Sequence, residues 1–263
     1  MNGVSIADLL DAPGALDVLS ALLAQAGGGG PGAPFLPMAI VLGVGVVVLV
    51  VIVAAGAGDK RRRESIVRAC AESGLASALG DDPGLRAMMA HLPEMKRGRQ
   101  ALLWHASAVD GSGLRLFEHR AVIGAGKHRQ TIVHTIAASP CAAEWPGLVL
   151  APENLFTRLG GMLGWKDLQL DNPAFNARWR VQCSSEDFAI VALSPEMQEW
   201  LGQAPKKERW QIGSGWVCCM RAGTIAPSEA EALARRPAEF LALLPSELAA
   251  WVGPDPQRDR RPI

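Results

Sequence analysis

Tyrosine is missing from this chain of 263 residues, which removes any chemistry that needs a phenol. Lysine and arginine are missing from everything before Lys60. The five cysteines, Cys70, Cys141, Cys183, Cys218 and Cys219, contain no C-x-x-C pair, so a structural zinc site has no local nucleus. Their odd number and irregular spacing argue against a disulfide framework. If the apolar stretch around Cys218 and Cys219 is a strand, the two thiols point to opposite faces as small buried hydrophobes. The formal net charge is +0. A nucleic-acid binder would show a strong basic stripe, so no nucleic-acid partner is expected. There is no G-x-S-x-G, H-E-x-x-H or kinase-type signature. Gly124-Ala125-Gly126-Lys127 has the look of a phosphate loop but lacks the upstream Gly and the following Ser or Thr, and a hairpin turn accounts for it better.

What is present begins with an apolar run over residues 35–57 that holds no charged side chain. At about 1.5 Å per residue it would reach roughly 34 Å, against a hydrocarbon core of about 30 Å. It is followed by Asp59 and then Lys60, Arg61, Arg62 and Arg63. The leader before it is acidic (Asp8, Asp11, Asp17), the reverse of a cleaved signal peptide. These features predict one transmembrane helix. The positive-inside bias puts residues 1–34 outside and everything from Lys60 onward in the cytoplasm of a bacterial inner membrane. Lys60, Arg61, Arg62 and Arg63 read as a membrane anchor, and recognition of anionic lipid is the sharper alternative.

Beyond the span, the pattern divides the chain. Residues 1–34 form a leader with a Gly-rich linker, and 60–99 carry the basic anchor and membrane-proximal helices. Residues 100–252 form an α+β domain, and 253–263 form a disordered tail. Within 60–99 two helices are expected, over 65–73 and 83–92, the second started by Pro83. Strands over 101–109, 114–124 and 130–139, split by turn residues, predict a three-stranded antiparallel meander. A strand over 145–150, a helix over 152–163, strands over 165–170 and 179–183, and short helices over 186–193 and 195–201 follow. A hairpin over 210–212 and 215–221 comes next. Closing helices over 228–234 and 238–251, with Ser228 as N-cap, complete the pattern. The fold class is therefore α+β: a single transmembrane helix followed by a cytoplasmic domain of antiparallel strands packed with short helices.

Three histidines attract attention. The two turns set a register in which His119 opposes Trp104 and Ile132, and His134 lies diagonally across from His119. In that register His105 opposes Glu118 on the other face. Two imidazoles on one face beside a carboxylate suit a transition metal. The apolar neighbours Phe117, Ile132 and Ile136 favour buried, hydrogen-bonded histidines instead, so neither a metal nor another cofactor is expected.

The stretch from Asp167 to Leu201 carries Phe175-Asn176, then Trp179 and Val181, then Asp187-Phe188-Ala189, and finally Pro195-x-Met197-x-x-Trp200-Leu201. This pattern resembles a family of uncharacterised bacterial membrane proteins grouped as DUF3137. The match covers about 35 residues, with weaker similarity around it. The resemblance implies a membrane location and supplies no catalytic residue. Read physically, the large side chains in it are core anchors, and Asn176 is placed to bond nearby backbone in a turn.

Two functions follow. The leading one is a non-enzymatic, membrane-tethered binding or scaffolding module, whose partners are the lipid bilayer and an unidentified protein. The alternative is an enzyme acting on a membrane-proximal substrate, with His105, His119 and His134 as the first residues to test. The enzyme requires a concave pocket in which the three converge. An open sheet edge without such convergence favours the binding module.

Overall fold

A computed structural model describes residues 35–96, 98–142, 144–152 and 165–251. The leader over 1–34, most of the expected helix over 152–163 and the tail over 253–263 lie outside the described residues. The chain divides into two compact units, Met1–Glu64 and Ser65–Ile263.

Helix α1 spans Phe35–Glu72 as one element of 38 residues. It does not end at the charge cluster. Asp59 pairs with Arg62 at 2.8 Å and with Arg63 at 3.1 Å, one helical turn along. Lys60 approaches Glu64 to 3.9 Å. Pairs at this spacing support a helix through a charged stretch.

The second unit is built on one nine-stranded sheet, in which every neighbouring pair is antiparallel. Its strands are β1 (Leu75–Leu79), β2 (Arg99–Ala108), β3 (Arg115–Ile123), β4 (Gln130–Pro140), β5 (Leu148–Pro152), β6 (Lys166–Leu168), β7 (Trp179–Cys183), β8 (Glu208–Gly213) and β9 (Trp216–Ala222). They lie in the order β1-β2-β3-β4-β9-β8-β5-β7-β6. The remaining helices are α2 (Pro83–Met88), α3 (Pro173–Asn176), α4 (Glu186–Ala192), α5 (Pro195–Gly202) and α6 (Ala230–Leu243).

The expected fold class is corrected on two counts. Among the described residues, no helix is long and apolar enough to cross a membrane, so the single transmembrane span is withdrawn. The second count is the extent of the sheet: the expected three-stranded meander is present as β2–β3–β4, but the strands do not stop there. They form one continuous sheet, because β4 pairs onward with β9 and carries the hairpin over to β8 and β5. The closing helices also differ. Ser228 sits in a 3₁₀ turn, Pro227–Glu229, and α6 runs through Pro237 to Leu243.

Each face of the sheet has its own core. One face packs Trp104, Leu116, Trp210 and Cys219 against Ile66 and Cys70 of α1, Phe188 of α4, Leu201 of α5 and Phe240 of α6. Trp210 stacks on Phe240 with ring centroids 4.9 Å apart. The other face carries Leu102, Phe117, Ile136, Cys218 and Met220. It is covered by Leu85 of α2 and by Met89, Leu92 and Met95 just after it. Cys218 and Cys219 thus serve opposite faces, and all five cysteines are free thiols. Burial pushes the thiol of Cys70 up to about 11.

Buried charge is matched on both faces. Glu208 is fully buried and accepts from Arg221 at 2.7 Å and from Arg236 at 2.9 Å. The Arg236 guanidinium also lies over the Trp200 ring, 3.8 Å from its centroid. On the opposite face, Arg209 pairs with Glu94, and burial lowers Arg209 to about 10. Asn176 holds the turn before α3 by accepting from the Leu170 amide at 3.1 Å and donating to the Leu170 carbonyl.

Candidate functional site

β1 is the strand that the sequence did not reveal, and it frames a surface cavity. Gly74 and Gly80 bracket it with φ of 79° and 97°, backbone values that side-chain-bearing residues rarely adopt. These glycines turn the chain out of α1, through β1, and on toward α2. Asp81 and Asp82 then fix the next step. Asp81 accepts from the Leu102 amide at 3.1 Å, and Asp82 caps α2 by accepting from the Leu85 amide at 3.0 Å.

Between α2 and the β1–β2 ribbon lies a cavity of about 440 Å³. Ala76, Ala78, His105 and Arg115 line it from the sheet, and Asp82 and Met88 from the α2 side. Asp82 is held below the usual carboxylate range, first by the Leu85 amide and further by the Gly84 amide and the nearby Arg115. His105 Nδ1 stands 4.0 Å from Asp82 Oδ2. That is beyond hydrogen-bond reach, so the two form a loose electrostatic pair and not an oriented dyad. Arg115 donates to the carbonyls of Gly113 and Leu114 at 3.1 and 3.0 Å, which fixes its guanidinium at the cavity wall.

The three histidines share one face of the sheet, but not as expected. The hairpin sets a register one residue from the expected one, so His105 opposes Phe117 and Trp104 opposes Glu118, and a bulge between Leu102 and Trp104 shifts the pairing again. Trp104 donates to the buried Glu118 carboxylate at 3.1 Å. The hairpin register puts His105 on the face that carries Phe117 and His119. His119 lies directly opposite His134, with Leu102 on its other side. Only His105 reaches the cavity. His119 is fully buried, and neither of its ring nitrogens has a hydrogen-bond partner. Burial, with help from His134 and Arg86, lowers His119 to about 4, and burial also lowers His134. Both are neutral near pH 7. The convergence that an enzyme would need is therefore not formed. Among the described residues, no group of three or more His, Cys, Asp or Glu side chains is placed to hold a metal ion.

The second feature is the outer edge of β1. Among the described residues β1 pairs only with β2. The Gly80 amide bonds the Leu103 carbonyl at 3.0 Å, and the Ala108 amide bonds Leu114 at 3.0 Å on the far side of β2. Hydrogen bonding alternates along an antiparallel pair. It follows that Ala76 and Ala78 bond inward to β2, while the N–H and C=O groups of Leu75, Ser77 and Leu79 point outward. Three exposed large apolar side chains lie on β1 and its neighbouring elements: Leu79 on the strand is 46% exposed, Met88 on α2 42% and Val109 just after β2 73%. Val109 follows the β2 end that pairs with Leu75.

Sequence reasoning missed β1, Asp82 and Arg115. The available signal was the alternation Leu75-Ala76-Ser77-Ala78-Leu79 between two glycines. Its weak strand formers hid it.

No protein-family model matches the chain, so the resemblance to DUF3137 stands without support or contradiction. No curated protein matches it either. Among solved structures, the chain is similar to the crystal structure of the mycobacterial trehalose monomycolate transport factor A, TtfA. The identity is 16%, the TM-score 0.46, and the match covers 70% of this chain and 95% of that one. A likeness this distant carries no argument about function.

Proposed function

We propose that this chain is a non-enzymatic binding module that accepts an extended segment of a protein partner on the outer edge of β1. The observation that carries the reading is that edge, whose outward backbone groups pair with no other strand among the described residues and sit on a strand without charge or proline. Strand addition draws affinity from main-chain hydrogen bonds and specificity from the side chains beside them. The exposed Leu79, Met88 and Val109 supply apolar contacts around the strand. The cavity is consistent with the binding reading: of the three histidines only His105 lines it, 4.0 Å from Asp82 and not hydrogen-bonded to it.

A photo-reactive amino acid placed at Ala78, and separately at Asp167 on β6, tests this in cells. Crosslinks from the Ala78 position are expected to map to one extended segment, with none of that pattern from the Asp167 position. Identical patterns from both positions, or no product from Ala78, would overturn the proposal.

A further inference from the structure

β1 reads Leu75-Ala76-Ser77-Ala78-Leu79, the same in both directions. Two copies of such a strand, laid antiparallel and centred on Ser77, place Ser77 against its own mate and Leu75 against the mate's Leu79. The residues brought together as hydrogen-bonded pairs, Ser77 with Ser77 and Leu75 with Leu79, are the ones whose backbone groups point away from β2. Every outward N–H and C=O thereby finds a partner, in a ladder of about six bonds. Ala76 then meets the mate's Ala78 as the close, non-hydrogen-bonded pair, and two methyl groups fit there without crowding. A register slipped by two residues would leave outward groups unmatched.

The surroundings agree with the same symmetry. A two-fold axis through Ser77, normal to the sheet, keeps both α2 helices on one side of the joined sheet. It sets Leu79 of each copy, 46% exposed on the opposite side, against Leu75 of the other. Ser77 Oγ is already satisfied by the Val67 carbonyl at 2.8 Å, so meeting its mate leaves no hydroxyl stranded. Natural edge strands are protected by charge, proline or a bulge. β1 has no charged residue and no proline, and its pairing with β2 runs unbroken from Leu75 to Leu79. A closed, isologous contact removes the exposed edge altogether.

We infer that the segment accepted by the β1 edge is β1 of a second copy of this chain, joining two sheets into one across a two-fold axis. This rests on the strand-addition reading and names its occupant. A five-residue ladder is smaller than a standard interface, so the association is reversible and grows with concentration.

Sedimentation velocity of the full chain over a wide concentration range, with charge substitutions at Ala76 and Ala78, tests it. Both side chains are exposed, and circular dichroism checks that each variant is folded. The doubly substituted chain Ala76→Lys/Ala78→Lys brings like charges together twice and is expected to weaken dimerisation at least tenfold. The chain Ala76→Lys/Ala78→Glu brings opposite charges together twice, in the centred antiparallel register only, and is expected to dimerise at least as well as the parent. A parent chain that stays monomeric while the Ala78 crosslinks still map to another protein would sink the second copy and leave strand addition standing. A double-lysine chain that dimerises and crosslinks like the parent would sink both.

Discussion

The two ends of the sheet are finished differently. At one end β6 is three residues long and carries Lys166 and Asp167. Asp167 is bound there by Arg180 at 2.6 Å and by Gln182 at 2.8 Å, and these bonds hold its carboxyl below the usual range. At the other end β1 is five residues long and carries no charge. Short, charged edges resist pairing with other chains, and longer uncharged edges invite it. This contrast is what the proposed strand addition at β1 rests on. The interiors behind them differ too. Toward β6, the sheet rests on a dense aromatic core with a doubly bridged Glu208. Toward β1, one face is roofed by α2 and the residues that follow it, above the buried His119 and the half-buried His134.

The largest effect is expected at Glu208, in the heavily packed half. Glu208→Ala leaves Arg221 and Arg236 without their shared carboxylate, and breaking a buried pair costs about 3–5 kcal/mol. Urea unfolding should show that loss, and a cost below about 1 kcal/mol would deny the bridge its role.

Next is acid, acting on the half behind β1. Unfolded histidine titrates near 6.5, whereas folded His119 waits until about 4. Between these values the unfolded chain binds a proton that the folded chain refuses. Stability is therefore intact above pH 6.5 and falls as pH drops toward 4, by roughly 3 kcal/mol for this one group. His119→Leu should flatten the stability profile between pH 6.5 and 4. A profile as steep as the parent's would refute the assignment.

A smaller effect is expected from Gly80→Ala. The site has open space, so the cost is that of positive φ alone, about 1 kcal/mol. It should loosen β1 and speed amide exchange there without disturbing exchange in β6. The smallest is Asp167→Ala. Its pairing with Arg180 is close to half exposed on each side, and exposed pairs contribute about 0–1 kcal/mol. It should leave dimerisation by β1 unchanged.

How much of this was legible depended on local signals. The β2–β3–β4 ribbon could be read because glycines and Asp110 mark its turns, and Asp110 accepts from the Ser112 amide at 2.9 Å. Strand β7 and helices α4 and α5 could be read from their large apolar anchors and their Ser and Pro starts. The irregularity near Leu103 could not, because a bulge shifts register without changing composition. The face of His105 could not be read either, because a one-residue difference in the register set by the turn between β2 and β3 reverses it. The span over 35–57 was read as a unit by hydropathy, whereas the helix continues through a charged stretch that pairs with itself. β1 escaped because Ala and Ser say little about strand, and what makes it an edge is a tertiary fact.

The most direct measurement is hydrogen–deuterium exchange of the individual β1 amides as protein concentration is raised. The account predicts that the amides of Leu75, Ser77 and Leu79 become protected with concentration. Ala76 and Ala78, already bonded to β2, should stay protected throughout, and Asp167 should not change. Exchange at Leu75, Ser77 and Leu79 that is the same at every concentration would contradict it.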